Sequence, residues 1–369
     1  MTRPYSHYSK WFASDETRKF VIQNIRRSGI PLELRARKIL SNSGFRATGI
    51  HYLEPVDKES ELAVRYGPGI WRELDIYASR SERPHIKVHD CEIHFVTHIL
   101  GECKYSVDKD VFVFEHTDKE NVDLSRFPVL ANGQQMLSPL LARNFVLPVL
   151  AEKVTEINAA SESKKDGNFS DAVTHGACEQ ILSALRFFLM RSRETIRRDY
   201  LRLSEPSRIK LAWQRILSEG KVERETIGPV TRVTDHSINE FLQTNFEAEE
   251  MLRDFPYFVV HIFFPIVVID ESRGVIKAVV DESFEVVALD DIGSCVYLYV
   301  SENADRYANV LENSFVLPIL MCNLGQLEKA IAMLDAGVKS VVDDTQRYLE
   351  NNPQYIVKEI MFNEKVNWL

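Results

Sequence analysis

Two stretches of sequence decide the fold: WRELDIYAS at residues 71–79 and IHFVTHILGECKY at residues 93–105. In the first, apolar and polar residues alternate, which is typical of a β-strand, and the alternation places Leu74, Ile76 and Ala78 on one face. The second is an apolar run that ends in a glycine followed by an acid, a cysteine and a lysine. The sequence therefore predicts two strands, each of which carries an acidic residue.

The polar residues of these strands are the candidate catalytic groups. Asp75 lies on the polar face of the first strand. Glu102 and Lys104 lie two positions apart on the second strand, so they share a face, and Cys103 between them points away. If the strands are neighbours, Asp75 and Glu102 can hold one hard cation, because Mg²⁺ prefers carboxylate oxygens together with waters and substrate phosphate. Lys104 would lie beside the activated water, and Glu33, early in a predicted helix, would contact the waters around the metal or make a second contact to a metal.

Each of these residues also has a purely structural interpretation. Acid-x-lysine triplets occur at 162–164 and 219–221 as well, but there they lie in polar or glycine-bearing loop sequence. Glu33 could serve only the helix dipole, since acids favour the first turn. Asp75 could be an exposed strand residue with Lys104 as its salt-bridge partner. What favours the catalytic interpretation is the joint occurrence of these residues in this order.

The predicted elements alternate between helices and strands, which favours an α/β domain with a central mixed sheet. Their order is helices at 15–29 and 31–44, strands at 45–53, 71–79 and 93–105, a helix at 171–203, a strand at 257–269, short strands at 275–280, 284–289 and 296–300, and a helix at 324–349. We expect an N-terminal basic helical arm at 1–28, a large α/β domain at 29–300 that carries the candidate catalytic groups and has an insertion at 106–170, and a C-terminal helical region at 301–369.

In the candidate catalytic residues and the sequence around them, the chain resembles the PD-(D/E)xK nuclease superfamily, which has the restriction-endonuclease-like fold. The resemblance is carried by PLE at 31–33, RELDIY at 72–77 and GECK at 101–104, and it covers about half of the chain. It implies a core of helix, three strands, helix and strand. Two departures are a long insertion after the lysine and a leucine in place of the proline in the family's name.

The resemblance also implies roles for individual residues. Asp75 and Glu102 match the family's metal ligands, Lys104 matches its catalytic lysine, and Glu33 matches the helix acid of many members. The implied activity is that of an endonuclease that needs Mg²⁺ or Mn²⁺ and hydrolyses DNA phosphodiester bonds with a metal-activated water, as in restriction or phage defence. RNA as substrate stays open. The alternatives are a catalytically inactive nuclease-like fold that acts as a nucleic-acid-binding or scaffold subunit, and a structural α/β protein whose motif is a coincidence.

The distribution of charge matters more than its total. The net charge is −9, which argues against a general nucleic-acid coat protein. However, residues 17–38 carry seven basic side chains and one acid, whereas residues 281–313 carry eight acids and one arginine. The acidic C-terminal half of the chain suits a protein partner, and the sequence does not decide whether the protein forms a homodimer. The candidate nucleic-acid-binding residues are Arg35, Arg37, Lys38, Arg72, Arg191, Arg197 and Arg198.

Two further residues are candidates for supporting the site. Gln180 lies on the helix that follows the catalytic strand, and His98 lies four residues before Glu102 on the same strand face; for both, an ordinary packed or exposed side chain is the alternative. Four histidines and Cys91 between residues 85 and 98 suggest zinc, although their spacing matches no familiar finger. His175 and Cys178 form no convincing thiol-enzyme pair, since no orienting acid is evident.

The remaining sequence features concern location. No apolar run reaches the length of about 18–20 residues that a membrane helix requires, and the first residues, MTRPYSHYSKW, lack the apolar core of a secretory signal. The five cysteines form no CxxC pair, so a disulfide framework is not expected. These features predict a cytoplasmic protein without a membrane partner. No P-loop or GxSxG motif is present.

Overall fold

The computed structural model describes most of the chain. The described residues are 14–26, 28–55, 69–83, 85–105, 110–117, 121–123, 129–131, 134–135, 144–146, 150–158, 172–201, 208–227, 230–253, 257–270, 274–278, 284–288, 294–300 and 316–361. Of the candidate residues, Arg197 and Arg198 have a described backbone in a helix, but their side chains lie outside the described part.

The described chain contains helices and strands in alternation. The helices are α1 (Asp15–Arg26), α2 (Ile30–Asn42), α3 (Ala172–Leu201), α4 (Arg208–Ser218), α5 (Asp235–Asn245), α6 (Ala248–Arg253), α7 (Leu327–Asn351) and α8 (Gln354–Met361). The strands are β1 (Arg46–Pro55), β2 (Gly69–Ser81), β3 (Ile86–Val88), β4 (Cys91–Lys104), β5 (Asp110–Thr117), β6 (Asn121–Asp123), β7 (Val129–Ala131), β8 (Gln134–Gln135), β9 (Asn144–Val146), β10 (Leu150–Asn158), β11 (Arg224–Ile227), β12 (Val230–Val233), β13 (Tyr257–Ile269), β14 (Gly274–Ala278), β15 (Phe284–Ala288), β16 (Ser294–Val300) and β17 (Val316–Asn323).

A mixed, open sheet organises these elements into an α/β fold. Its strand order is β1-β2-β4-β13-β17-β16-β10-β5-β14-β15. Strands β1, β2 and β4 are antiparallel neighbours, whereas β13 runs parallel to both β4 and β17. The pairing of β4 with β13 is continuous from Glu92↔Tyr257 to Lys104↔Ile269. Strand β4 is therefore paired along much of its length on both sides, which fixes the direction of its side chains.

Helices cover both faces of the sheet. Helix α2 packs on one face together with α7, through the buried residues Leu32, Ala36 and Leu40. Helix α3 packs on the other face, through the buried stripe Ala177, Ile181 and Leu185, which has the helical spacing of an apolar face. Because β4 is covered on both faces, its side chains alternate between the two cores: Ile99 belongs to the first and Leu100 to the second.

Local sequence signals explain where the first two helices begin and end. Ser14 Oγ accepts a 3.1 Å hydrogen bond from the amide of Thr17 at the start of α1, which is a typical N-cap. Pro31 lies in the first turn of α2, where its missing N–H is not needed. Gly44 has φ of 85° just after α2, a backbone conformation that favours glycine.

Two regions take part in the sheet in ways that the sequence analysis did not specify. Strand β17, from the predicted C-terminal helical region, lies between β13 and β16. Its apolar sequence VLPILMC is typical of a strand that is buried on both faces. Strands β5 and β10, from the predicted insertion at 106–170, extend the sheet beyond β16.

An ion pair fastens the C-terminal helix α7 to the sheet. The guanidinium of Arg80, on β2, contacts both carboxylate oxygens of Asp335 at 2.5 and 3.3 Å. The same guanidinium bonds Glu82 at 3.1 Å and lies over the ring of Phe45 at 4.2 Å. All five cysteines are buried, and none of them forms a disulfide. Among the described helices, none combines the length and the apolar character that crossing a membrane requires.

Candidate active site

Asp75 lies in a β-bulge of β2, where the regular alternation of side chains between the two faces of the sheet is interrupted. Thr48 pairs with Tyr77, but Ile50 pairs with Leu74, so Asp75 and Ile76 together lie opposite Gly49. Two residues opposite one define a bulge, and bulges re-aim side chains next to functional sites.

The bulge corrects one prediction about β2. Leu74, Ile76 and Ala78 are all buried, but they do not share a face. Leu74 packs in the core beneath α3, whereas Ile76 and Ala78 pack in the core beneath α2. The prediction of a single face was wrong because the extra residue of the bulge interrupts the regular alternation.

Asp75 is fastened directly to β4. Its Oδ2 accepts a 2.8 Å hydrogen bond from the main-chain amide of Cys103, and its own amide donates to Glu102 Oε1 at 3.4 Å. The last pair in the β2–β4 register is Ile76↔Gly101, so Asp75 and Glu102 occupy the next step along the two strands. The neighbouring strands thus bring the two predicted metal ligands together.

Glu102 is a buried carboxylate that pairs with the ammonium group of Lys104. Its side chain is 2% exposed, and its Oε2 lies 3.0 Å from Lys104 Nζ. Burial raises the pKa of Glu102 to about 7; the charge of Lys104 opposes the increase and the charge of Asp75 adds to it. The side chain of Cys103 packs in the core beneath α2, on the face of β4 opposite to Glu102 and Lys104. The predicted alternation of these three side chains is therefore present. Glu102 is therefore poised between the charged and neutral forms near neutral pH.

Glu33 reaches the site from helix α2 and is held there by Arg37. Arg37 Nη2 donates to Glu33 Oε2 at 2.8 Å, and Arg37 Nε donates to the carbonyl of Asp75 at 2.7 Å. Burial and the charge of Asp75 raise the pKa of Glu33, while Arg37 opposes the increase and Glu73 adds to it. One guanidinium thus joins the helix acid to the main chain of the bulge.

Sequence reasoning missed the positioning roles of Arg37 and Gly49. Arg37 was expected at the nucleic-acid surface, whereas its guanidinium faces the site. A Cβ at Gly49 would lie 2.5 Å from Arg37 Nη2 and 2.9 Å from its Cζ, so the guanidinium occupies the space that only glycine leaves free. A glycine inside a strand sequence is a signal of a bulge or of a close approach, and it could have indicated this feature.

The two predicted supporting residues have different surroundings. Gln180 Nε2 donates to the carbonyl of Glu73, so helix α3 holds β2 close to Asp75. His98 is buried in the sheet, and its ring nitrogens contact Tyr77 Oη at 3.3 Å and His261 Nδ1 at 2.9 Å. Burial and the neighbouring His261 hold the pKa of His98 well below its usual range. His98 is thus a packed core histidine, whereas Gln180 positions the strand of the site.

The remaining basic candidates lie on the surface. Arg35, Lys38 and Arg72 are exposed; the first two lie on α2 and Arg72 lies on β2, the elements that carry Glu33 and Asp75. Arg191 is exposed on α3, 6.0 Å from the centre of the Phe187 ring. These four side chains are accessible to an anionic ligand.

The donor set of the site fits a hard divalent cation. Asp75 and Glu102 offer carboxylate oxygens, the ligands that Mg²⁺ prefers. Glu33 lies close enough to Asp75 for the charge of Asp75 to raise the pKa of Glu33. The raised pKa of Glu102 indicates that Lys104 alone does not offset the burial of this carboxylate. A cation held between Asp75 and Glu102 would offset the remaining charge, since an opposite charge favours the ionised form.

Comparisons with known proteins do not assign the chain to a family. No family model matches the chain, and neither a curated protein nor a solved structure matches it. The geometry of Glu33, Asp75, Glu102 and Lys104 is therefore the ground on which a function is argued. The resemblance to the PD-(D/E)xK nucleases stays a proposal that rests on these residues.

Proposed function

We propose that the protein is a Mg²⁺-dependent endonuclease of the PD-(D/E)xK type that hydrolyses DNA phosphodiester bonds. The observation that carries the proposal is the contact between β2 and β4, where the amide of Cys103 holds Asp75 at 2.8 Å and the adjacent pair Glu102–Lys104 meets at 3.0 Å. This arrangement joins two carboxylates and one ammonium group at the end of a buried strand.

The order of the elements supports the same family. Helix α2 carries the first acid, and the antiparallel strands β1, β2 and β4 follow, of which β2 and β4 carry the other candidate residues. Helix α3 then covers the sheet, and β13 pairs in parallel with β4. If β3, the strands β5–β10 and the elements from α4 to α6 are treated as additions, the remaining order of helix, three strands, helix and strand agrees with the core that the resemblance implies.

Each residue has a role that its contacts support. Asp75 and Glu102 would hold Mg²⁺, which when bound supplies the charge that activates water and polarises the phosphate. Lys104 places a positive charge beside Glu102, where it can orient the attacking water and stabilise the negative charge that develops on the phosphate. Glu33 would bind the waters around the ion, and Arg37 positions Glu33.

The surface charge supports a phosphodiester substrate. Arg35, Lys38 and Arg72 are exposed on the two elements that carry Glu33 and Asp75. Lysine and arginine side chains of this kind contact phosphates and supply affinity without reading the base sequence. The net charge of −9 does not oppose this interaction, because acids elsewhere on the chain contribute to the total.

The proposal is tested by cleavage of supercoiled plasmid DNA with Mg²⁺ or Mn²⁺. We expect the wild-type protein to nick or linearise the plasmid, and Asp75→Asn and Lys104→Ala each to lower the rate by about 10² or more. Lys221→Ala is the matched control, since Lys221 belongs to an exposed acid-x-lysine triplet in which Nζ lies 2.9 Å from Glu219 Oε2. It should cleave as fast as the wild type.

Two outcomes would contradict the proposal. If wild-type protein retards DNA in a gel but cuts neither DNA nor RNA with either metal, the catalytically inactive nucleic-acid-binding fold is supported instead. If cleavage occurs but Asp75→Asn and Lys104→Ala cleave like the Lys221→Ala control, the activity resides elsewhere and the assignment of the site is wrong.

A further inference from the structure

The β3–β4 hairpin brings two histidines and a glutamate to one face of the sheet. Lys87 pairs with Glu92 and Ile86 pairs with Ile93, so the next step of the register sets His85 opposite His94. Glu92 and His94 are two residues apart on β4 and therefore share a face. Strand β4 thus positions Glu92 and His94, and His85 lies directly before the first residue of β3.

The three side chains converge on a small volume. His85 Nδ1 lies 3.0 Å from Glu92 Oε1, and His94 Nε2 lies 3.5 Å from Glu92 Oε2. The two imidazole rings are 4.0 Å apart. One ligand atom from each residue lies within 4.8 Å of the other two, and a metal with bonds of about 2.0–2.2 Å can reach all three after small side-chain rotations.

We propose that His85, Glu92 and His94 bind a divalent transition-metal ion, of which Zn²⁺ fits the donor set best. Two imidazole nitrogens and one carboxylate suit zinc, copper or nickel, whereas Mg²⁺ and Ca²⁺ prefer oxygen ligands alone. The side chains of His85 and His94 are 25% and 29% exposed, so solvent can supply a fourth ligand. This is the three-ligand zinc geometry with one open position.

One ring nitrogen of the cluster has no hydrogen-bond partner among the described residues. This atom is Nε2 of His85, which is buried, so this imidazole is not fully satisfied by its contact with Glu92. Lys87 lies opposite Glu92 on the same face and is exposed. Its long, flexible side chain can point into solvent, so it does not block the site.

The site is separate from the candidate active site. Glu92 and Glu102 belong to the same strand but are ten residues apart, which corresponds to about 33 Å at 3.3 Å per residue. An ion bound at His85, Glu92 and His94 would therefore crosslink the β3–β4 hairpin and stabilise the fold, without contact to the carboxylates of the proposed nuclease. The inference does not depend on the proposed function.

Calorimetric titration of the metal-free, full-length protein with Zn²⁺ tests the site. We expect one ion per chain, and a loss of affinity of about 10-fold or more in His94→Ala and in Glu92→Gln. His89→Asn is the matched control, since His89 is exposed at the hairpin turn with φ of 51°, where asparagine is well tolerated. Zn²⁺ should also raise the melting temperature of the wild type and of His89→Asn, but not that of His94→Ala.

Several outcomes would overturn the proposal. One is a wild-type titration without Zn²⁺ binding at micromolar concentrations. Another is equal Zn²⁺ affinity in wild type and Glu92→Gln, a variant that keeps the size of the side chain and therefore the packing of the hairpin. If Zn²⁺ binding is lost in Glu102→Gln and kept in Glu92→Gln, the ion belongs to the other carboxylate site. Visible absorption of bound Co²⁺ reports the ligand set independently.

Discussion

The main-chain amide of Cys103 donates a 2.8 Å hydrogen bond to Asp75 Oδ2. Together with the bond from the Asp75 amide to Glu102 Oε1, it joins the bulge of β2 to the triplet at the end of β4, because Cys103 stands between Glu102 and Lys104. The amide is part of a buried strand, so its position does not depend on a flexible side chain. Asp75 is thereby held next to Glu102, where its charge adds to the effect of burial on the pKa of Glu102.

Glu102→Gln should change how stability depends on pH. Burial raises the folded-state pKa of Glu102 from 4.5 to about 7, so the folded protein binds this proton more tightly than the unfolded chain. The stabilisation is complete below about pH 4.5 and is lost as the pH rises through about 7. Without added metal, the free energy of unfolding of Glu102→Gln relative to wild type should therefore increase by up to about 3 kcal/mol from acid to mildly alkaline pH.

Urea unfolding at a series of pH values measures this difference. Glu219→Gln is the control, because hydrogen bonds from Lys221 and Arg215 lower the pKa of Glu219 instead of raising it. Its stability relative to wild type should not increase with pH. A constant difference between Glu102→Gln and wild type over the whole range would show that Glu102 has an ordinary pKa in the folded protein.

Gly49→Ala should destabilise the protein, since the new Cβ would lie 2.5 Å from Arg37 Nη2. The guanidinium would have to move, and its bonds to Glu33 and to the carbonyl of Asp75 would weaken. Because the end of a flexible side chain can shift, the cost in thermal or urea unfolding should be small, about 0.5–1 kcal/mol from the weakened hydrogen bonds, and the clearer effect should be slower DNA cleavage.

A second glycine provides the matched control for Gly49. Gly176 lies in helix α3, and a Cβ there would meet no heavy atom within 4 Å. Gly176→Ala should stabilise the protein by about 0.5–1 kcal/mol, because alanine favours the helix. Equal effects of the two substitutions would mean that Arg37 does not need the space above Gly49.

The contact of Arg80 with Asp335 should couple the C-terminal helix to the sheet. A double-mutant cycle with Arg80→Ala and Asp335→Ala measures the coupling, which we expect to be about 1–2 kcal/mol for a bidentate, half-buried pair. Arg215, in α4, and Glu219, directly after its last residue, form an exposed pair at 3.1 Å, and the same cycle there should give about 0.3–0.5 kcal/mol. If both cycles give the same small value, α7 is held by its apolar face alone.

Much of the fold could be predicted from the sequence because its signals are local. The strand predicted at 257–269 has the bounds of β13, and the helix predicted at 171–203 differs from α3 by a residue or two at each end. Apolar periodicity decides such elements wherever one face or both faces are buried. The position of β17 in the middle of the sheet was not predictable in this way, since strand order depends on contacts between residues that are distant in sequence.

In the candidate site, too, the features that depend on local sequence were predictable and those that depend on distant residues were not. The shared direction of Glu102 and Lys104 follows from strand alternation, and their ion pair at 3.0 Å agrees with it. The face of Leu74 was predicted wrongly because a single extra residue reverses the alternation, and a bulge leaves little trace in the sequence of its own strand. The inward direction of Arg37 depends on Gly49 of another element, so no pattern within the helix could indicate it.

Lys104→Met and Lys104→Arg should separate charge from position at the site. The ammonium of Lys104 lowers the pKa of Glu102, so its removal in Lys104→Met should raise that pKa above about 7. Glu102 would then be protonated at neutral pH and unable to bind a cation. Lys104→Arg keeps the positive charge and should keep the pKa of Glu102 near its wild-type value.

Residual cleavage measured over a range of pH distinguishes the two variants. In Lys104→Met the alkaline rise in rate should shift to higher pH, whereas in Lys104→Arg it should stay where it is in the wild type, even if the rate is lower. Carbon NMR of the Glu102 carboxyl gives the same comparison without catalysis. Identical pH profiles for both variants would mean that Lys104 does not control the charge of Glu102, and its role would then be limited to contacts with the substrate.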